Sequence, residues 1–221
     1  MFENREEAGR RLAERLKSYA GRENTIVLGV PRGGVVVAYE VAKVLDAPLD
    51  VLVLRKLGVP WQEELAFGAI AHGGVRVLDR ETLEMLNLTE ADIERVAARE
   101  QAELDRRERT YRAGKPPLDL RGKTVILVDD GIATGSSARA ALRALRTMGP
   151  QRIVLAVPVA PRATAERLRA EADEVICEDT PDTFYAIGQF YGDFLPVEDR
   201  EVIALLARAA AGTPENAGRK G

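Results

Sequence analysis

A single cysteine and a single histidine in 221 residues remove whole classes of chemistry. Cys177 alone can form neither an internal disulfide nor a multi-cysteine metal cage, and His72 alone excludes a site built on several imidazoles. Neither sign of charge dominates, because 32 basic and 35 acidic residues leave a net charge of −3. That balance indicates no basic face for nucleic acid. No apolar run approaches the roughly 18 residues of a membrane span, so no membrane partner is expected. The opening MFENREEAGRR is charged where a signal peptide needs an apolar stretch, and the expected location is the cytoplasm.

What the sequence does contain is 46% hydrophobic and 30% charged residues, the composition of a packed globular chain. Ala8, Leu12, Leu16 and Tyr19 recur at helical spacing over 5–19. An apolar run over 25–30 ends in Pro31-Arg32-Gly33-Gly34 and reads as a buried strand breaking into a loop, followed by a helix over 35–45 and a second strand over 49–54. Strand, helix and strand in that order imply a parallel pair with a crossover. Residues 55–79 read as a loop carrying a small hairpin at 74–78.

Residues 80–112 differ in character, with about half of them charged. Thr89 and Asp92 suggest a capping box, and Glu103/Arg107, Asp105/Arg109 and Glu108/Arg112 are helix-supporting pairs. Ile93, Val96, Ala97, Leu104 and Tyr111 form only a narrow stripe. The expectation is one continuous arm helix over 90–112 that lies on the body or on a partner subunit rather than within the core. Alternation then resumes, with strands over 124–128, 152–157 and 174–177, helices over 136–148 and 161–170, and a last helix over about 198–210. The polar tail 212–221 is expected to be disordered. The fold class is therefore α/β, a parallel sheet of about five strands with a helical insertion, in a single domain over 1–211.

The most informative stretch is VILVDDGIATGSS, residues 125–137. Asp129 and Asp130 sit at the carboxyl end of a buried strand, where open α/β sheets bind ligands. The loop Gly131-Ile132-Ala133-Thr134-Gly135-Ser136 then runs into a helix, whose free amides and nearby hydroxyls suit a phosphate monoester. Adjacent carboxylates accept hydrogen bonds from vicinal hydroxyls. A phosphate cradle and a diol binder a few residues apart fit a ribose 5-phosphate. A lone Asp-Asp-Gly would be read as a turn, but the whole string is too specific for that.

This segment resembles the phosphoribosylpyrophosphate (PRPP) signature of the type I phosphoribosyltransferases, and two more segments agree in order. Val30-Pro31-Arg32-Gly33-Gly34 looks like the family's pyrophosphate loop, and Arg55-Lys56 looks like a pair that contacts PRPP. The resemblance implies a parallel sheet flanked by helices, with a small C-terminal hood over 180–197. It implies transfer of the 5-phosphoribosyl group between PRPP and a nitrogenous acceptor, by default a nucleobase, with Mg²⁺ held mainly by PRPP. Asp129 and Asp130 would be catalytic, holding the ribose hydroxyls and reaching the metal at most through water. Ala133, Thr134, Gly135, Ser136 and Ser137 would hold the 5′-phosphate, and Arg32, Gly33, Gly34 and Lys56 the pyrophosphate. A homodimer and a cis peptide between Pro31 and Arg32 are also implied. A PRPP- or nucleotide-sensing regulator with the same loops and no turnover is the alternative.

Five of the chain's aromatics fall within residues 184–194. Aromatic faces there could stack on a planar acceptor, yet at least three of the five are expected to pack the hood itself. Cys177 is expected to be a buried small hydrophobe. His72 is open to a role in a mobile loop, with catalysis the less favoured reading. Trp61 is open to covering substrate or to a subunit contact.

Overall fold

The computed structural model describes residues 1–212, apart from the side chains of residues 63, 64 and 81. In chain order the elements are α1 (Arg5–Arg15), β1 (Thr25–Gly29), α2 (Gly33–Leu45), β2 (Leu49–Val51), β3 (Leu54–Val59), β4 (Gln62–Ala71), β5 (Val75–Leu78), α3 (Arg80–Met85) and α4 (Glu90–Arg112). They continue with β6 (Thr124–Val128), α5 (Ser136–Thr147), β7 (Arg152–Val159), α6 (Arg162–Leu168), β8 (Glu174–Asp179) and α7 (Asp199–Gly212). Gly212, expected in the tail, closes α7; the rest of the expected disordered tail lies outside the described residues.

The main sheet has the order β2-β1-β6-β7-β8, every pair parallel. The three inner strands β1, β6 and β7 are mainly apolar because both faces are covered. Val27, Ile126, Val128, Val154 and Ala156 point into one core with α1 and α2. Ile26, Leu28, Val125, Leu127, Ile153 and Leu155 point into the other with α5 and α6. That division is the two-residue period of a strand expressed as two hydrophobic layers.

The 55–79 segment departs from the expected loop with a small hairpin. It is a three-stranded antiparallel sheet, β3-β4-β5, that packs on α4 and α5. Its pattern is hidden by a register shift around Gly58 and by Gly68. A Cβ at residue 68 would lie 2.4 Å from the Val77 carbonyl oxygen, so the strands close only over glycine. Trp61 is 63% exposed in the turn between β3 and β4.

The arm is continuous over Glu90–Arg112, and Thr89 with Asp92 forms the capping box at its start. It is not, however, an appendage. Val96, Ala97, Leu104 and Tyr111 are buried in the same core as Val27 and Val35, against β3, β4 and α7. Polar contacts tie the same face down. Arg55 pairs with Glu100 at 2.7 Å, and the Tyr111 hydroxyl donates to Asp199 at 2.6 Å. Burial first, then Asp199, pushes the Tyr111 hydroxyl up to about 12.

His72 is absorbed by this packing. Its Nε2 accepts from the Leu118 amide at 3.1 Å, so Nδ1 carries the proton and donates to Glu108 at 2.6 Å. Arg112 caps the cluster with a bidentate grip on Asp50, at 3.0 and 3.1 Å. With both ring nitrogens engaged and the side chain buried, His72 holds α4 to the second sheet. Cys177 is half-buried on β8, and burial pushes its thiol up to about 11. At pH 8 only about a thousandth of it would be thiolate. Native protein should therefore react slowly with a disulfide reagent at that pH and rapidly once unfolded in urea, which absorbance assays of thiol release will check.

Candidate functional site

The neighbours β1 and β6 mark the point where the winding of the sheet reverses. The chain leaves β1 towards α2 on one face and leaves β6 towards α5 on the other. Ligand crevices of open α/β sheets form outside the carboxyl ends of strands at such a point. The two loops singled out by the sequence both begin there. The Val30 amide donates to the Val128 carbonyl at 2.9 Å, which ties the roots of the loops together.

The first loop turns through Pro31 and Arg32, joined by a cis peptide bond, into the N-terminus of α2. Glycine is required where it meets the second loop. A Cβ on Gly34 would stand 2.8 Å from Asp129 Cα, and one on Gly33 would stand 1.9 Å from Asp130 Oδ2. The backbone of residues 33–34 therefore lies directly against the two carboxylates. Arg32 is half-exposed at the rim, with Nη1 3.8 Å from Asp199.

The second loop carries Asp129 and Asp130 immediately after β6. Burial, then the adjacent Asp130 charge, raises the Asp129 carboxyl well above the usual range; the amide of Asp130, donating to its Oδ1 at 2.9 Å, opposes this only in part. Burial also raises Asp130, against the opposing pull of Arg5. Two desolvated neighbouring carboxyls are costly unless something compensates them.

Beyond the carboxylates the loop is held from behind. Ile132 donates its amide to the Val159 carbonyl at 2.9 Å, and the Thr164 hydroxyl donates to the Ala133 carbonyl at 3.0 Å. Gly135 is the N-cap of α5 at φ +81°, a left-handed conformation that favours glycine. Gly135 supplies no side chain to cap α5; instead the Ser136 amide donates to the Thr134 hydroxyl at 3.4 Å. Ala133, Thr134 and Ser137 are exposed, whereas Gly135 is buried. The helix dipole adds partial positive charge at the same place.

Lys56 is placed apart from the other residues predicted to hold the pyrophosphate. It lines a cavity of about 40 Å³ over the first turns of α5 with Ser136 and Arg139; Arg32, Gly33 and Gly34 are not among that cavity's walls. Its neighbour Arg55 is engaged by Glu100.

The hood segment uses its aromatics for packing. Phe184 and Phe190 pair at 5.2 Å between centroids, Tyr191 and Phe194 at 4.8 Å, and Phe2 meets Tyr191 at 5.3 Å. Tyr185 is 87% exposed. Ile187 reaches over the site so closely that a Cβ on Gly131 would lie 2.5 Å from its Cγ2. The Tyr191 hydroxyl donates to the Asp130 carbonyl at 2.6 Å, and burial raises that hydroxyl. Sequence reasoning missed Arg5, whose Nε donates to Asp130 Oδ2 at 2.7 Å from 125 residues away. One signal was available: a cation in the first turn opposes the helix dipole and calls for a partner elsewhere.

The chain matches the model of the Phosphoribosyl transferase domain family over residues 2–194. The chain belongs to that family and has its type I architecture. It is 49% identical over 209 residues to "Putative phosphoribosyl transferase MT0597" of Mycobacterium tuberculosis, covering 95% of this chain and 47% of that protein. The chain thus spans about half the length of the curated relatives it matches. The crystal structure of TT1426 from Thermus thermophilus superposes with a TM-score of 0.85 at 45% identity, covering 94% of this chain and 98% of that one. "Bifunctional protein PyrR" of Chloroflexus aurantiacus is 33% identical over 131 residues, 58% of this chain and 66% of that protein.

Proposed function

We propose that the chain is a Mg²⁺-dependent phosphoribosyltransferase, a glycosyltransferase that moves the 5-phosphoribosyl group between PRPP and a nitrogenous acceptor, by default a nucleobase. Pyrophosphate is the co-product. The observation that carries this reading is the meeting of Asp129 and Asp130 with the Gly33–Gly34 backbone at the sheet reversal, next to the glycine-capped N-terminus of α5. The proposed unit is a single domain, residues 1–211, working as a cytoplasmic homodimer in nucleotide metabolism.

In this reading the acceptor nitrogen forms a bond to C1 of the ribose as the C1–oxygen bond to pyrophosphate breaks, with inversion. The bonding pair leaves with the diphosphate, and positive charge develops on the ring. Asp129 and Asp130 accept from the 2′- and 3′-hydroxyls and set negative charge beside that ring. Residues 133–137 hold the 5′-phosphate through α5 amides and hydroxyls. Arg32, Gly33 and Gly34 take the pyrophosphate, with Lys56 approaching from the α5 side.

No cluster of three or more acidic, histidine or cysteine side chains among the described residues forms a metal cage. The two carboxylates and the glycine cradle suit an ion that arrives on the diphosphate, reached by Asp129 and Asp130 through water. When bound, Mg²⁺ supplies charge neutralisation of the leaving group.

The test is to add PRPP and Mg²⁺, follow thermal protection, and screen purine and pyrimidine bases for pyrophosphate release. Protection with release for any base supports the transferase. Protection with no release for any acceptor favours the PRPP-sensing regulator, and absence of protection defeats both.

A further inference from the structure

Arg5 opens α1 at the positive end of its dipole, where a cation gains nothing locally. Its side chain is only 10% exposed, so distant partners must account for it. Nε donates to Asp130 Oδ2 at 2.7 Å and Nη1 donates to the Leu195 carbonyl at 2.9 Å. The guanidinium carbon lies 3.8 Å from the centre of the Phe194 ring. Three contacts from the catalytic loop and the hood therefore fix the guanidinium plane.

The chain before Arg5 is docked to the same end. Phe2 is buried, its amide donates to the Phe190 carbonyl at 2.7 Å, and its carbonyl accepts from the Gly192 amide at 2.8 Å. Asn4 caps α1 by accepting from the Glu7 amide at 2.9 Å, which sets where Arg5 begins the helix. A Cβ on Gly33 would lie 2.7 Å from Arg5 Nε, so the ion pair fills the space beneath the first loop.

We propose that Arg5 is a positioning residue for ribose binding: it clamps Asp130 through Oδ2 and so presents Oδ1 to a hydroxyl of the phosphoribosyl group. The inference rests on the proposed function of the site. With Nε and Nη1 committed to Asp130 and Leu195, Arg5 acts through Asp130 rather than on the diphosphate.

Three probes separate the possibilities: PRPP with Mg²⁺, ribose 5-phosphate, and pyrophosphate with Mg²⁺, each titrated by calorimetry. Arg5→Met should weaken PRPP and ribose 5-phosphate about 10- to 100-fold, the equivalent of one charge-assisted hydrogen bond, and leave pyrophosphate within about twofold. In an Asp130→Asn background Arg5→Met should add no further loss for ribose 5-phosphate. Arg5→Lys keeps the charge but cannot reach both Asp130 and Leu195, and it should recover only part of the affinity. It also serves as the test if the methionine variant fails to fold. Unchanged ribose 5-phosphate binding, losses that add to those of Asp130→Asn, or a loss confined to pyrophosphate would each overturn the proposal. Wild-type protein that binds none of the probes would instead defeat the underlying reading of the site.

Discussion

Asparagine in place of Asp129 or Asp130 is expected to weaken PRPP binding about 10- to 100-fold, because each change removes a charge-assisted hydrogen bond worth about 1.5–3 kcal/mol. Inorganic phosphate, held only by residues 133–137 in the proposed reading, should bind as before. The unliganded proteins should diverge. The sequence makes the two carboxylates equivalent and predicts that neither substitution costs stability. The structure separates them, because Asp130 alone is paired with Arg5. Asp130→Asn weakens that contact and should cost about 1–3 kcal/mol.

Asp129→Asn should raise the melting temperature at neutral pH. Burial and the Asp130 charge lift the Asp129 carboxyl in the folded state, so the folded chain holds its proton more tightly than the unfolded chain does. The stability this provides is fully present below the unfolded value and is lost as pH rises through the raised folded value. The substitution removes that loss, so its benefit should appear at neutral pH and shrink in acid. Each kcal/mol recovered corresponds to about 2–4 °C for a chain of this size. Melting curves across pH, with and without PRPP–Mg²⁺ and phosphate, measure all of these effects. A fall in stability for Asp129→Asn with PRPP affinity intact would make the pair a structural turn.

Leu104→Ala should be the most destabilising change in the arm. Leu104 is fully buried on α4 in the core shared with β3, α2 and α7. Truncation there removes transfer energy and leaves a cavity, at a cost of about 2–5 kcal/mol. That corresponds to a drop of roughly 4–20 °C. Exposed arm positions such as Arg95 should stay within about 0.5 kcal/mol of wild type when changed to alanine. Urea denaturation of both variants is the measurement. Equal, small effects would mean that α4 is an appendage after all.

The parallel sheet and the two loops at its reversal are legible in the sequence. Both are written locally. The inner strands are short apolar runs, and two of them lead into the loops on which the proposed site is built: Pro31-Arg32-Gly33-Gly34 after β1, and Asp129 through Ser137 after β6. The remaining features depend on contacts between elements far apart in the chain. The narrow stripe on α4 predicts an arm outside the core, and only the docking of β3, β4 and α7 against it makes it a core element. The second sheet escaped because its register shift at Gly58 and its close approach at Gly68 depend on the strand opposite, not on local alternation. The aromatics of the hood could stack on a ligand or on one another, and the N-terminal residues Phe2 and Arg5 complete the packing that consumes most of them. Arg5 reaches Asp130 across 125 residues of sequence, a pairing that no periodicity or motif encodes, because it exists only once α1 and the hood have docked on the same end of the sheet.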